Sequence, residues 1–210
     1  ITCGLLDQYG IILSKINQCM VIDFQDDEIE YLPTSLHGCS WVVVNSCIQR
    51  ELSESAYIQR VNECKMGLEI LKEIFTIVSV RDINQSMLKE LQSEHIELYK
   101  RLRHVIDEND RVNKMKVLLE EGDVSQIGEI LQQSHESLRL LYQVSCEEID
   151  FIIELSQSFD GWYGGRIIGG GFGGCSLHLL VNNIVDNYQD YIIEHYTKRY
   201  NLIPEIIKVA

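Results

Sequence analysis

The spacing of apolar residues changes its character along the chain. Short extended segments are predicted at 11–24 and 29–32, around an acidic turn, and the β-branched run at 41–44 is typical of a buried strand. From Tyr57 to Phe75 apolar residues recur every three or four positions, which predicts one face of a helix. The chain therefore begins with extended segments and continues into a helical region.

Three more helical faces follow before the chain returns to extended structure. They lie at 98–119, 127–141 and 149–153, and Gly122 is a natural stop for the first of them. The remaining residues predict a strand, a helix and a closing strand, at 175–181, 185–196 and 206–209. This ending, behind a helical middle, predicts an α+β fold in which helices cover one face of an antiparallel sheet.

Composition restricts the classes of partner. The chain has 210 residues, 45% of them apolar, and 18 basic against 32 acidic residues give a net charge of −14. Such a negative charge argues against nucleic acid as a partner, and no apolar run is long enough to predict a membrane span. Seven cysteines without a C-x-x-C pair predict neither a zinc site nor a disulfide framework. We therefore expect reduced thiols and a cytoplasmic location.

A glycine-rich segment, GGRIIGGGFGGC at 164–175, contains seven of the 14 glycines. Gly169, Gly171 and Gly174 formally satisfy the dinucleotide fingerprint G-x-G-x-x-G, but that fingerprint must open a helix. Here a predicted strand follows, so we reject a dinucleotide site. Dense glycine lets the backbone adopt positive φ repeatedly and bring its N–H groups close to another surface. By itself the segment predicts either an anion-binding loop or a tight structural turn.

Five segments, all in the same order, resemble segments of galactokinases, members of the GHMP family of small-molecule kinases. They are ITCGLLDQYG (1–10), NSCIQRELSESAYIQRVNEC (45–64), RLRHVIDEN (101–109), SHESLRLLYQVSCEEID (134–150) and GGRIIGGGFGGC (164–175). The last resembles the third GHMP motif in its galactokinase form. It departs from that form at Gly165, Ile167 and Ile168, where galactokinases usually have Ala or Ser, Met and Thr.

The resemblance also implies a domain organisation. Galactokinases carry a sugar-binding signature and a Ser-rich ATP phosphate loop before the first of these segments, and neither occurs in this sequence. We therefore expect the chain to be the C-terminal portion of a longer kinase and to be inactive in isolation. Residues 1–40 would be a remnant of the N-terminal domain, with the helix of the catalytic aspartate and strands. Residues 41–210 would form a GHMP C-terminal domain with ferredoxin-like βαβ units.

Candidate site residues follow from the same resemblance. Asp7 occupies the position of the catalytic aspartate, close to the C1 hydroxyl of galactose, where a carboxylate could act as general base. Tyr57 corresponds to a tyrosine that contacts the sugar, although it also heads an apolar helix face. The glycine loop would support the active site beside the aspartate and the phosphates. Its residues are Gly169, Gly170, Gly171, Gly173 and Gly174.

Other polar residues in the matched segments are expected to have structural roles. Arg60 would form an ion pair, and Arg103, His104 and His135 would be hydrogen-bonded scaffold within helices. We identify no metal ligands in this sequence. Magnesium would accompany ATP as MgATP, the co-substrate, and most of the nucleotide site would lie outside this chain.

The resemblance implies that the intact protein, a monomer, transfers the γ-phosphate of ATP to the C1 hydroxyl of galactose and produces galactose 1-phosphate. Two alternatives stay open. One is a catalytically weak sugar- and ATP-binding regulator, for which Gly165 and Ile168 could be signs, although Asp7 argues against it. The other is a kinase for a related sugar such as N-acetylgalactosamine, which would share every residue discussed.

Overall fold

The structure is a computed structural model that describes residues 5–48 and 53–209. Cys3 of the first matched segment and residues 49–52 of the second lie outside the described residues. The helices and strands, in chain order, are α1 (Leu5–Leu13), β1 (Gln18–Asp23), β2 (Glu28–Pro33), β3 (Cys39–Asn45), α2 (Ser53–Ile74), α3 (Gln85–Gln92), α4 (Ile96–Glu121), α5 (Val124–Ser137), α6 (Glu147–Gln157), β4 (Trp162–Ile168), β5 (Cys175–Val181), α7 (Val185–Tyr200) and β6 (Glu205–Val209).

Four strands form an antiparallel sheet in the order β4-β5-β3-β6. β3 and β4 are both antiparallel to β5, which lies between them, so the helical segment α2–α6 makes a split βαβ crossover. β5 and β6 flank β3 in the same way, and α7 makes the second crossover. This β-α-β-β-α-β connectivity is the ferredoxin-like order. It confirms the predicted α+β fold, including its strand, helix and strand ending.

Alternation along β3 assigns the two faces of the sheet. Val42 and Val44, both fully buried, face α6 and α7 in the largest apolar cluster. Trp41 points the other way, toward a second cluster that includes residues of α4 and α5. The expectation of a single covered face is therefore too simple, because α5 also packs on β4 from the opposite side.

Strand β4 is absent from the sequence-based prediction because its glycines give no strand pattern in the sequence. A Cβ atom built on Gly164 would overlap the carbonyl oxygen of Gly128 in α5, and one built on Gly128 would overlap that of Tyr163. The two glycines thus let a helix backbone and a strand backbone come into direct contact. Glycine lowers strand propensity. The same glycine that lets β4 pack against α5 therefore also weakens the strand pattern in the sequence.

Helices α2, α3 and α4 surround a third apolar cluster. Leu71, Leu88, Leu91 and Leu102 are fully buried there, which confirms the helical periodicity predicted for α2 and α4. Gly122 ends α4 as predicted, with φ of 71° and its N–H donating to the carbonyl oxygen of Leu118 at 2.9 Å. None of the helices in the described ranges is long and apolar enough to cross a membrane.

The first 33 residues contain one wrong prediction. Extended structure was predicted from residue 11, but α1 continues to Leu13, and β1 begins at Gln18. Ile11 and Ile12 are 83% and 76% exposed, so their apolar character does not report burial. A short apolar run cannot distinguish strand from helix by itself. β1 and β2 form a separate antiparallel hairpin, and the domain division at residue 40 stays a prediction.

Candidate active site

The glycine loop joins strands β4 and β5. Ile168 pairs with Cys175 where the two strands close, and residues 169–174 lie between them. Four of the loop's glycines have positive φ, which agrees with the need for glycine there. They are Gly169 (77°), Gly171 (83°), Gly173 (141°) and Gly174 (73°). The loop opens a strand, as predicted, and so lacks the helix N-terminus that a dinucleotide fingerprint needs.

Backbone hydrogen bonds hold the loop on two sides. The carbonyl oxygen of Gly174 accepts from the Ser46 N–H at 2.9 Å and from the Ser46 hydroxyl at 2.8 Å, and the Gly174 N–H donates to Ile48 at 3.2 Å. On the other side the Phe172 N–H donates to the carbonyl oxygen of Val144 at 2.6 Å. The loop is thus a tightly packed turn whose shape is set largely by main-chain contacts.

Part of the loop still offers a free donor. Gly169 and Gly170 are exposed, and the N–H group of Gly170 donates no backbone hydrogen bond within residues 5–48 and 53–209. Successive amides in a loop with positive φ can face an anion. The two sequence interpretations, anion-binding loop and structural turn, are therefore compatible.

Tyr57 lies in the second turn of α2 and is 45% exposed. It is therefore not a core residue of the helix face that it heads in sequence. Tyr142, in a single π-helical turn after α5 (Leu138–Tyr142), lies nearby. Burial, with smaller contributions from Cys64 and Tyr57, raises the pKa of Tyr142 well above its ordinary value.

Asp7 lies on α1, a helix with no buried residue. The helix contacts the hairpin, where the ring of Tyr9 meets Phe24 at 5.9 Å and the Tyr31 hydroxyl donates to the carbonyl oxygen of Leu13 at 2.8 Å. Within the described ranges no hydrogen bond or ion pair reaches the Asp7 carboxylate, and none links it to the glycine loop or to Tyr57. The role of Asp7 therefore stays a prediction.

The residues expected to be scaffold have structural partners. Arg60 lies 3.1 Å from Glu63 in an ion pair on α2, and Arg103 lies 2.7 Å from Asp107 on α4. His104 is buried, with its Nδ1 2.8 Å from the Ser137 hydroxyl. Burial lowers the pKa of His104 to about 4, so the ring is neutral at neutral pH.

His135 has a comparable place between α5 and β4. Its Nδ1 accepts the N–H of Ile167 at 3.3 Å, and its Nε2 lies 3.3 Å from the Asp150 carboxylate. The ring thus joins a helix to the strand that leads into the glycine loop. This is the scaffold role expected from the sequence.

Gly165 departs from the galactokinase form for a reason of packing. A Cβ built there would lie 2.7 Å from Nδ1 of His178 and 2.8 Å from the carbonyl oxygen of Leu177, both on the neighbouring strand. His178 is fully buried, and its Nδ1 accepts from the Trp162 indole N–H at 3.1 Å while Nε2 lies 2.8 Å from the Ser176 hydroxyl. Because the indole can only donate, Nδ1 is unprotonated and the proton is on Nε2. Gly165 therefore makes room for a neutral buried histidine.

Sequence reasoning missed one prominent residue, Arg101. It is 2% exposed and is the largest of the fully buried side chains. Leu98, Leu102 and Val105 lie on the same side of α4, so an arginine within an apolar helical face was the available signal.

Magnesium has no obvious ligand set here. Residues 5–48 and 53–209 contain no group of three His, Cys, Asp or Glu side chains that could hold a metal ion. The single candidate carboxylate, Asp7, does not make a site by itself. We therefore assign no step of the chemistry to the metal on this chain.

Comparison with protein families and solved structures agrees with these observations. The family model described as GHMP kinases C terminal matches residues 115–193. A galactokinase of Thermosipho africanus is 35% identical over 209 residues, which cover 100% of this chain and 58% of the relative. A galactokinase of Thermotoga maritima is 37% identical over 202 residues, which cover 96% of this chain and 56% of the relative.

The structural comparison extends over almost the whole chain. The crystal structure of Lactococcus lactis galactokinase complexed with galactose superposes with a TM-score of 0.91 at 26% identity, covering 99% of this chain and 54% of that one. The chain thus spans a little more than half the length of the relatives that it matches.

Proposed function

We propose that this chain is the C-terminal portion of a galactokinase of the GHMP kinase family. We further propose that the full-length protein transfers the γ-phosphoryl group of ATP to the C1 hydroxyl of galactose. The observation that carries the proposal is the similarity to galactokinases in both sequence and structure along nearly all of this chain. The reaction would produce galactose 1-phosphate and ADP.

Asp7 is the proposed general base. As the C1 oxygen attacks the γ-phosphorus, the carboxylate would accept the hydroxyl proton, and the bond from that phosphorus to the bridging oxygen of ADP would break. A positioned base of this kind contributes roughly 10²- to 10⁴-fold to the rate.

The glycine loop and Tyr57 would act on the substrates without exchanging protons. The free N–H group of Gly170 is proposed to face the phosphate oxygens, and its hydrogen bond to them would strengthen as negative charge develops there during transfer. The hydroxyl of Tyr57, a residue that is 45% exposed, is proposed to hydrogen-bond a hydroxyl of the sugar and so orient C1.

The remaining expectations concern partners and location. Galactose and ATP, supplied with magnesium, are the proposed substrates, and the protein is proposed to act as a cytoplasmic monomer. Cys19, Cys39, Cys64 and Cys175, which are partly buried, have free thiols, which supports a reducing compartment.

A coupled assay of ADP release tests the proposal directly. The full-length protein should release ADP with galactose and much less with N-acetylgalactosamine or without sugar. Asp7→Asn should reduce this turnover at least about 100-fold, as expected for loss of a general base. Asp190→Asn is the matched control, because Asp190 is another exposed helical aspartate, on α7, and should leave the rate unchanged.

Other results would point elsewhere. Tight galactose binding without turnover would contradict the kinase proposal and favour a sugar-binding regulator. Faster turnover with N-acetylgalactosamine would keep the chemistry but change the substrate. The 210-residue chain alone is expected to show no turnover, and galactose-dependent ADP release by it would contradict the division of the site that we propose.

A further inference from the structure

We propose that Arg101 is a positioning residue that fixes the helix carrying Tyr57 relative to the glycine loop. The inference rests on the proposed function, because it assigns to Arg101 the relative placement of two parts of that site. Arg101 lies on α4, makes no hydrogen bond or ion pair to Tyr57 or to the loop within the described residues, and acts through the residues that it holds.

The guanidinium uses all three of its nitrogens. Nε donates to the Glu63 carboxylate at 2.7 Å, Nη1 donates to the carbonyl oxygen of Leu141, and Nη2 donates to the Gln143 side chain at 2.7 Å and to Glu97 at 3.0 Å. These partners belong to α2, to α4 itself and to the turn that follows α5. One planar group therefore fixes three segments at defined angles.

One set of bonds leads to Tyr57. Glu63 follows Tyr57 by less than two helical turns, and its carboxylate also pairs with Arg60, at 3.1 Å, one turn after Tyr57. Although burial opposes it, the hydrogen bond and charge of Arg101 hold the pKa of Glu63 below its ordinary value. A charged Glu63 clamped between two arginines fixes how α2 is rotated about its axis, and so where the Tyr57 hydroxyl points.

The other set of bonds leads to the glycine loop. Gln143 adopts a left-handed conformation with φ of 58°, and the bond from Arg101 holds its side chain. The next residue, Val144, accepts the Phe172 N–H at 2.6 Å. A Cβ on Gly171 would overlap the same carbonyl oxygen, so the loop rests directly on Val144. Displacing Gln143 should therefore displace the loop.

A purely structural role is the competing explanation. Buried ion pairs can often be replaced by apolar side chains with little loss of stability, so burial alone does not imply function. The two explanations differ in what a lysine would do. Lysine keeps the charge and the apolar stem but cannot make the forked set of bonds to Glu63, Leu141 and Gln143 at once.

The test uses the full-length protein with Arg101→Lys, and Arg103→Met as the matched control. Arg103 lies two residues later on α4, but its side chain is 35% exposed and bonds Asp107 and Tyr99, which both lie about one turn away on the same helix. We expect Arg101→Lys to raise KM for galactose about tenfold and to speed amide exchange at Phe172, since small misplacements in an active site have large effects on rate. Arg103→Met should change neither quantity.

A double-mutant cycle with Tyr57→Phe gives a readout that loss of stability would not produce. If Arg101 acts through Tyr57, Arg101→Lys should raise KM less than threefold in the Tyr57→Phe background. An undiminished tenfold effect there, or unchanged KM and Phe172 exchange in Arg101→Lys, would overturn the proposal.

Two outcomes, an unfolded variant and an inactive wild type, call for other measurements. If Arg101→Lys does not fold, Glu63→Gln becomes the deciding variant, because it keeps size and an acceptor oxygen but weakens the clamp on α2. If the wild-type protein has no galactose-dependent turnover, the proposed function fails, and Phe172 exchange in Arg101→Lys then decides the positioning role alone.

Discussion

Two regions of the molecule carry the candidate site, and they are stabilised in different ways. The hairpin unit, residues 5–33, carries Asp7 on a helix without buried residues. Side chains of β1 and β2 pack this unit against α4 and α5. The sheet unit, strands β3–β6 with α6 and α7, carries the glycine loop over a core in which Val42, Val44 and Leu180 are fully buried. The chain fixes the loop itself, whereas in the part of the chain that the structure describes no hydrogen bond or ion pair joins the Asp7 carboxylate to the loop.

The contacts of the hairpin unit explain this difference. Arg81 pairs with Asp23 at 2.8 Å, and Lys116 pairs with Glu30 at 2.5 Å. All four side chains are about one-third exposed or more. Exposed ion pairs contribute little to stability, so the main attachment is apolar, through Leu32, which is 2% exposed. The sheet unit should therefore determine global stability, and the hairpin unit should respond only locally.

The sharpest test of this difference compares two glycines. Gly164→Ala should abolish folding of the 210-residue chain or cost more than about 4 kcal/mol, because its Cβ meets the backbone of Gly128 and not a flexible side chain. Gly10→Ala, in α1 with nothing within 4 Å of the added Cβ, should not destabilise the chain and should favour the helix by about 0.5–1 kcal/mol. Urea unfolding followed by circular dichroism measures both, and equal effects would refute the comparison.

Acid should weaken the sheet unit and the neighbouring helix α4 before the hairpin unit. Burial lowers the pKa of His178 to about 3 and that of His104 to about 4, from an ordinary value of 6.5. Below pH 6.5 the unfolded chain binds protons that the folded chain does not, so the free energy of unfolding should fall as pH drops, by on the order of 2 kcal/mol per histidine down to pH 4.5.

The hairpin unit should lose stability over a lower pH range. The Arg81 side chain holds the pKa of Asp23 at about 2, below its ordinary 3.8, so this group loses its contribution only as pH falls below about 4. Urea unfolding between pH 7 and 4.5 measures the effect of the histidines. A free energy of unfolding that stays constant over this range would contradict their buried, neutral state.

A smaller effect should come from the pair Gly165 and His178. Gly165→Ala should cost about 1–3 kcal/mol, because the new methyl group meets the imidazole at 2.7 Å in a packed core. In a His178→Thr background the same change should cost about 1 kcal/mol less, because the ring is removed while the contact with the Leu177 carbonyl oxygen at 2.8 Å remains. Additive effects in this double-mutant cycle would show that the two residues do not compensate for each other.

The smallest effect should be in the hairpin unit. Asp23→Asn should raise amide exchange in β1 and β2 a few-fold at most and leave global unfolding unchanged, because the bond to Arg81 is exposed. Salt at about 1 M should produce a similar change in the wild type, since it screens exposed charges. Global destabilisation by Asp23→Asn would mean that the hairpin belongs to the same cooperative unit as the sheet.

Local patterns in the sequence determined much of this protein. Helical periodicity located α2, α4, α5 and α6, β-branched or apolar runs located β3, β5 and β6, and the glycines marked a loop that opens a strand. These features depend on near neighbours in sequence, and one-sided burial imposes a period that can be recognised without the fold. The matched segments also placed Asp7 and Tyr57 as candidates whose roles the described geometry leaves to experiment.

Only the tertiary structure decided the rest, because it depends on residues that are far apart in sequence. The crossing of Gly128 and Gly164 defines β4, the contact of Gly165 with His178 explains a departure from the family pattern, and Arg101 gains its role from partners 38 to 42 positions away. Steric fit and forked hydrogen bonding have no local period. These contacts can therefore be recognised only in the folded structure.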